Sequence, residues 1–226
     1  MSDRAVLILG VGGLGSVVAM ALGVAGMDRL TLVDADTVAL SNLHRQPLYQ
    51  EADVGSSKVA VAAERLRREH PGMVVETWTE RVTTLERLVP LMLEHAITVD
   101  GSDNFTTRFL ANDAALRTGR PLVHGAATGL RGQLMTILPH RSACLRCLFD
   151  APPDGVVPTC QEAGVLGSLV REVGWLMAME VVKWMHDADG LTTDRMVTID
   201  LATGIRRHAA FPRQQDCRGC GIHLDH

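Results

Sequence analysis

A chain of 226 residues with 46% hydrophobic content is long enough to bury a full core, and its formal charge of −4 at pH 7 comes from interspersed acidic and basic residues. That balance provides no clustered positive field for nucleic acid, which excludes it as an expected partner. Uninterrupted apolar runs of about 18 residues are absent and the N-terminus enters a strand pattern directly, so neither a membrane span nor an export leader is expected.

Apolar segments at 5–9, 30–33, 74–78, 97–99 and 121–123 have strand length, and helix-like patterns separate most of them. Strands alternating with helices predict an α/β fold, a doubly wound, Rossmann-like, mostly parallel sheet covered on both faces. After the first strand the chain reads Gly10-Val11-Gly12-Gly13-Leu14-Gly15, and the small apolar helix predicted over 13–25 can pack closely on the sheet. Backbone N–H groups at such a turn can approach phosphate, and the helix N-terminus adds partial positive charge. Gly10, Gly12, Gly13 and Gly15 are therefore candidate nucleotide contacts. Alone, this turn is the mark of a nicotinamide or flavin site.

The residues after the second strand change that reading. Asp34-Ala35-Asp36-Thr37-Val38 runs on into Ser41-Asn42-Leu43-His44-Arg45-Gln46. Asp34 ends the strand, where a carboxylate accepts hydrogen bonds from ribose hydroxyls; Asp36 is a second nucleotide candidate or a turn cap. The next predicted helix has Ser56 and Ser57 as N-cap candidates, an inward set of Val59, Ala62, Ala63 and Leu66, and Pro71 just past its end, which places Lys58 in its first turn. A dinucleotide dehydrogenase has no use for Asn42, Arg45 and Lys58 together. Adenylation does, because the α-phosphate and the leaving pyrophosphate must be neutralised as charge shifts, and Arg45 and Lys58 are assigned that work. At the end of the fourth strand Asp100-Gly101-Ser102-Asp103-Asn104 precedes Thr106, Thr107 and Arg108. Carboxyl ends of strands face the ligand crevice, so Asp103 is placed near the phosphates through Mg²⁺, with Asn104 beside it. The other reading is that Asp103 or Asn104 caps the following helix, and both jobs can coexist. ATP and Mg²⁺ are thus the expected substrate and cofactor.

Beyond Gly125, residues 132–138 and 195–199 read as strands without intervening regular helices, which predicts an antiparallel extension of the sheet. Residues 150–159 are rich in Pro, Gly and Asp and read as a mobile loop. An apolar helix over 165–184 comes next, whose Arg171, Glu172, Glu180 and Lys183 argue for a core or interface helix over a membrane span. Of five cysteines, four form the pairs Cys144-Leu145-Arg146-Cys147 and Cys217-Arg218-Gly219-Cys220. Two such pairs together give a tetrahedral Zn²⁺ site that ties the C-terminus back to the body, with a redox dithiol as the other reading. A closed shell of four cysteines leaves no open position for catalysis, and free thiols suit a reducing compartment, so the cytoplasm is the expected location. Cys160 lies beside the loop, just before a glycine-bearing helix start where the thiolate is favoured; it is a candidate nucleophile or an inert thiol.

The chain resembles the ThiF/MoeB/HesA family, the bacterial relatives of ubiquitin-activating enzymes. GVGGLGS, DADTVALSNLHRQ, DVGSSK, DGSDNFTTR, PLVHGAATGLRGQ, CLRC, CQEAGVLG and CRGC occur in order across nearly its whole length. The resemblance implies a homodimeric adenylyltransferase that activates the C-terminal carboxylate of a ubiquitin-like sulfur-carrier protein ending in Gly-Gly, for sulfur transfer in thiamine, molybdopterin or related biosynthesis. It implies that Gly13, Asp34, Asn42, Arg45, Lys58 and Asp103 serve ATP and metal and that Cys160 takes part in acyl or persulfide transfer. His124, Arg131 and Arg171 are further candidates for contacts to the carrier's tail. Relatives carry a longer segment before the first strand, whose Arg reaches the partner's nucleotide site; here residues 1–4 precede it, with Arg4 the solitary arginine. No rhodanese-like extension is found, so a separate sulfur donor is expected. Residues 1–226 then read as a single adenylation domain, with a nucleotide-binding half at 1–125 and a carrier- and zinc-binding half at 126–226. The other readings are a non-catalytic or regulatory half of a heteromeric activating complex, and an NAD-dependent oxidoreductase.

Overall fold

The computed structural model describes residues 4–151 and 164–221; Cys160 and most of the predicted loop lie outside the described residues. Five strands run parallel in the order β3-β2-β1-β4-β5: β1 (Ala5–Leu9), β2 (Arg29–Val33), β3 (Val74–Trp78), β4 (Ile97–Asp100) and β5 (Leu122–Thr128). Three antiparallel strands extend the β5 edge: β6 (Arg131–Ile137), β7 (Arg195–Asp200) and β8 (Ile205–Ala210). The helices are α1 (Gly13–Val24), α2 (Lys58–Glu69), α3 (Leu85–Leu93), α4 (Phe105–Thr118), α5 (Leu145–Leu148) and α6 (Gly167–Met185). The doubly wound parallel sheet with an antiparallel C-terminal extension is therefore present as the sequence predicts. The strand β8 was not predicted, because all six of its residues are exposed and IRRHAA carries no apolar alternation.

Parallel strands buried on both faces read as unbroken apolar runs, and β1 divides its side chains accordingly. Val6 and Ile8 join a core with α1, α2 and α6, whereas Leu7 and Leu9 pack on the opposite face with α3 and α4. No helix of the described residues is long and apolar enough to cross a membrane.

Strand order reverses at β1, which lies between β2 and β4, and a crevice opens there at the carboxyl ends. Its tightness depends on two glycines. Gly10 has φ +80°, a conformation that side chains resist. A Cβ added to Gly15 would lie 1.9 Å from the Gly10 carbonyl oxygen, so the first turn of α1 sits directly against the end of β1. Gly15→Ala is expected to cost about 3 kcal/mol, seen as a lower urea midpoint at unchanged m-value. Gly72→Ala, where a Cβ would meet nothing within 4 Å, is the control and should stay within about 0.5 kcal/mol.

Candidate active site

The crevice is lined by Gly10, Gly12 and Gly13 of the turn, Asp34 and Asp36 after β2, Asn42 and Arg45 of the next loop, Lys58 at the head of α2, and Asp103 and Asn104 after β4. Residues up to 94 positions apart in sequence are thus gathered by the ends of three neighbouring strands. Gly15 is the exception among the glycines. It does not line the crevice; its part is to let α1 approach β1.

The turn is pinned on both sides of Val11. Its N–H donates to Asp34 Oδ2 at 2.8 Å, and its carbonyl accepts from the Tyr49 hydroxyl at 2.7 Å. Asp34 Oδ1 accepts from the Asp36 N–H at 2.8 Å. A carboxylate has about four acceptor positions, so about two remain for a ligand's donors. Burial pushes the Asp34 carboxyl above its ordinary range, and the Lys58 charge with these two N–H bonds opposes the rise.

Lys58 is buried, and its Nζ lies 2.9 Å from Asp36 Oδ2. Asp36 is half-exposed and also 3.4 Å from Arg81. Partial burial raises the Asp36 pKa, but Lys58 and Arg81 outweigh it and hold the carboxyl below its usual value. Asp36 therefore acts by orienting Lys58. The Arg45 guanidinium, also buried, donates from Nη2 to Asn42 Oδ1 at 2.6 Å and from Nη1 to the Ser41 carbonyl at 3.3 Å. A cation held by a neutral amide keeps its full charge facing the crevice, where an anion offsets the cost of its burial.

Asn104 is the N-cap of α4 and accepts from the Thr107 N–H at 2.8 Å. Asp103 lies at the rim, and its carboxylate has no hydrogen-bonded or ionic partner among the described residues. The two jobs weighed for this pair are divided between them: Asn104 holds the helix and Asp103 stays open toward the crevice.

Behind that rim is a pair the sequence did not reveal. Asp100 and His124, both buried, meet with Oδ2 and Nδ1 2.8 Å apart, while Asp100 Oδ1 accepts from the Ser102 N–H at 3.1 Å and its hydroxyl at 2.5 Å. Burial alone would raise the Asp100 pKa; the His124 bond and charge, the Arg108 charge and the Ser102 hydroxyl together hold it below the ordinary value. His124 is thus a buried partner of Asp100 and does not line the crevice. Arg131 lies 3.4 Å from Asp200, and Arg171 flanks an apolar groove beside Trp175; neither lines the crevice. Gln46, Arg81 and Arg108 do line it and were not assigned. Arg108 carried a readable signal, standing four residues past the Asn104 cap and so on the same helix face.

The four paired cysteines converge, their sulfurs all within 4.8 Å of one another. Cys144 and Cys217 sulfurs are 3.7 Å apart and those of Cys147 and Cys220 3.4 Å. Burial pushes the Cys147 thiol up to about 11. Four soft sulfur ligands at this spacing fit zinc, whose charge would favour the thiolates. The cluster is tied to α4, where Asn112 Oδ1 accepts from the Leu145 N–H at 2.8 Å and Asp113 takes Arg146 at 2.7 and 2.8 Å.

A family model described as the ThiF family matches residues 1–219, and the chain belongs to that family. It is 40% identical over 227 residues to the sulfur carrier protein adenylyltransferase of Thermus thermophilus, covering 98% of this chain and 83% of that protein. It is 37% identical over 224 residues to the adenylyltransferase and sulfurtransferase MOCS3 of Dictyostelium discoideum, covering 98% of this chain and 52% of that one. The chain thus spans about half the length of that longer relative. Among solved structures, Escherichia coli MccB with ATP superposes with a TM-score of 0.86 at 22% identity, over 97% of this chain and 67% of MccB. MccB with MccA-N7isoASN gives 0.88 at 21%, over the same shares. These two show a common fold.

Because its folded pKa is lowered, ionised Asp100 adds stability that is full above the unfolded value and is lost as pH falls through the folded one. Asp100→Asn should therefore cost about 3 kcal/mol at neutral pH, with the gap to the parent narrowing below about pH 4. Urea unfolding at pH 7 and pH 3 measures this, and a gap independent of pH would contradict an ionised Asp100.

Proposed function

We propose that this chain adenylates the C-terminal carboxylate of a ubiquitin-like sulfur-carrier protein ending in Gly-Gly, using ATP and releasing pyrophosphate. The observation that carries this reading is the pair of buried cations, Arg45 and Lys58, facing the same crevice as the glycine turn and Asp34. Asp34 takes the ribose, and the unpaired N–H groups at the start of α1 receive phosphate. A carboxylate oxygen of the carrier attacks the α-phosphorus and forms the acyl–phosphate bond. The bond to the β-phosphate breaks, and pyrophosphate leaves with its charge held by Arg45 and Lys58. No general base is needed, since the attacking carboxylate is already ionised; alignment and charge stabilisation do the work. Asp103 would hold Mg²⁺, which supplies further neutralisation of the phosphates.

The two other readings have less support. An NAD-dependent oxidoreductase has no need of two buried cations past its pyrophosphate. A non-catalytic half would not need Lys58 and Arg45 oriented by Asp36 and Asn42. The identity and length match to the Thermus thermophilus protein supports sulfur-carrier activation, and we propose thiamine, molybdopterin or related biosynthesis as the pathway it serves. Cys160 is proposed for acyl or persulfide transfer, with sulfur supplied by a separate donor protein. A homodimer is supported by exposed apolar side chains on α1 and α6, among them Val24, Trp175 and Met179. Four free thiols beside one another suit the cytoplasm.

Lys58→Ala and Arg45→Ala are each expected to lower carrier-dependent pyrophosphate exchange by about a thousandfold. Near-normal exchange in both variants would refute their roles. The four-cysteine cluster should hold one zinc per chain by native mass spectrometry, and Cys217→Ser should release it and lower the Tm by roughly 10 °C. Metal-free protein with an unchanged Tm would remove zinc from the account.

A further inference from the structure

Resting on the adenylation reading, we infer that Arg108 is a third cation of the reaction, which holds the carrier's terminal carboxylate against the α-phosphate. Arg108 is only 7% exposed yet lines the crevice, and its Nε is buried without a hydrogen-bond partner. Its Nη2 reaches the Ser102 carbonyl at 3.4 Å, a weak contact, and its Cζ lies over the Phe105 ring, 5.0 Å from the centroid. Other sequestered cations are better satisfied: Lys58 has Asp36 at 2.9 Å, Arg45 has Asn42 at 2.6 Å, and Arg146 has Asp113 at 2.7 Å. The acid whose charge Arg108 feels, Asp100, gives its oxygens to His124 and Ser102 instead. A buried guanidinium with an unmet donor is costly unless a ligand completes it.

Its place in the fold says which ligand. Arg45 and Lys58 follow β2, whereas Arg108 follows β4, and β1 with its glycine turn lies between. The cations therefore stand on two sides of the turn that receives the phosphates. Adenylation brings together two anions that repel each other, and cations on the triphosphate alone do not steer the second one. The planar fork of an arginine suits a carboxylate. The crevice is also lined by Ala127 of β5, the strand next to β4, and by Val165, apolar side chains that suit a thin tail with no side chains of its own. One carboxylate oxygen forms the bond to the α-phosphorus, pyrophosphate takes the electron pair of the broken bond, and no proton moves. Arg108 holds the other oxygen.

The test uses the full chain with MgATP and the ubiquitin-like Gly-Gly protein of the same organism that supports pyrophosphate exchange. Arg108→Gln should lower exchange about a hundredfold and raise the KM for the carrier, while the Kd for a non-hydrolysable ATP analogue stays within about threefold by calorimetry. Arg108→Lys should recover about tenfold of the loss. Exchange in Arg108→Gln within about threefold of the parent overturns the inference, and so does an equal loss of nucleotide affinity, which would give Arg108 to the phosphates. A fall in Tm with kcat and both affinities declining together would mark a structural role and also overturn it. Should Arg108→Gln fail to fold, Arg108→Lys decides: a raised carrier KM at unchanged nucleotide Kd supports the inference, and unchanged parameters overturn it. Parent protein that exchanges with no Gly-Gly carrier would instead sink the adenylation reading itself.

Discussion

The whole site depends on backbone meeting backbone where α1, β1 and β4 converge. Gly15 lies against the Gly10 carbonyl, and a Cβ at Gly101 would come within 2.9 Å of the Gly15 amide. With three glycines the helix start, the turn and the end of β4 close into one rigid corner. The N–H groups of the turn, the Asp34 carboxylate and the rim that carries Asp103 take their positions from that corner. The Tyr49 hydroxyl and Asp34 then lock Val11 from either side, so the glycine turn is held in place by the protein's own contacts.

On this frame the charges are distributed by a consistent rule. The three buried cations facing the crevice are oriented by partners that leave part of their charge available: Lys58 by the half-exposed Asp36, Arg45 by the Asn42 amide and the Ser41 carbonyl, Arg108 by the Ser102 carbonyl and the Phe105 ring. The buried acid Asp100, by contrast, is satisfied by His124 and Ser102 and turns no spare acceptor outward. On the proposed reading, such an arrangement would receive phosphate and carboxylate with little reorganisation when charge moves, which is the physical content of electrostatic preorganisation.

Much of this was legible in the sequence, and the reasons differ by element. The bounds of β1 and β3 coincide with the predicted runs: β1, covered on both faces, writes itself as five uninterrupted apolar residues, whereas β3, a partly exposed edge strand, is legible from the β-branched and aromatic residues Val74, Val75, Thr77 and Trp78. Of the candidate site residues, Asp34 follows the end of β2, Lys58 heads α2 and Asp103 lies between β4 and α4, places that local signals mark, whereas Asn42 and Arg45 lie in the loop between β2 and α2. Contacts of long reach were not legible. Nothing in the chain announces that His124 meets Asp100 24 positions earlier, or that Tyr49 closes on Val11 across 38. The glycine pattern likewise cannot say which of its members touches a ligand and which, as with Gly15, only permits close packing.

Among the described residues, β8 ends the sheet with one edge open, and an open edge is a template on which a foreign strand can grow. This one is six residues long and carries Arg206 and Arg207 side by side, followed by His208. Adjacent positive side chains repel a second copy of themselves, and the short length limits what a stray segment could gain. The same lack of apolar pattern that hid β8 from view is a safeguard against fibrous self-addition.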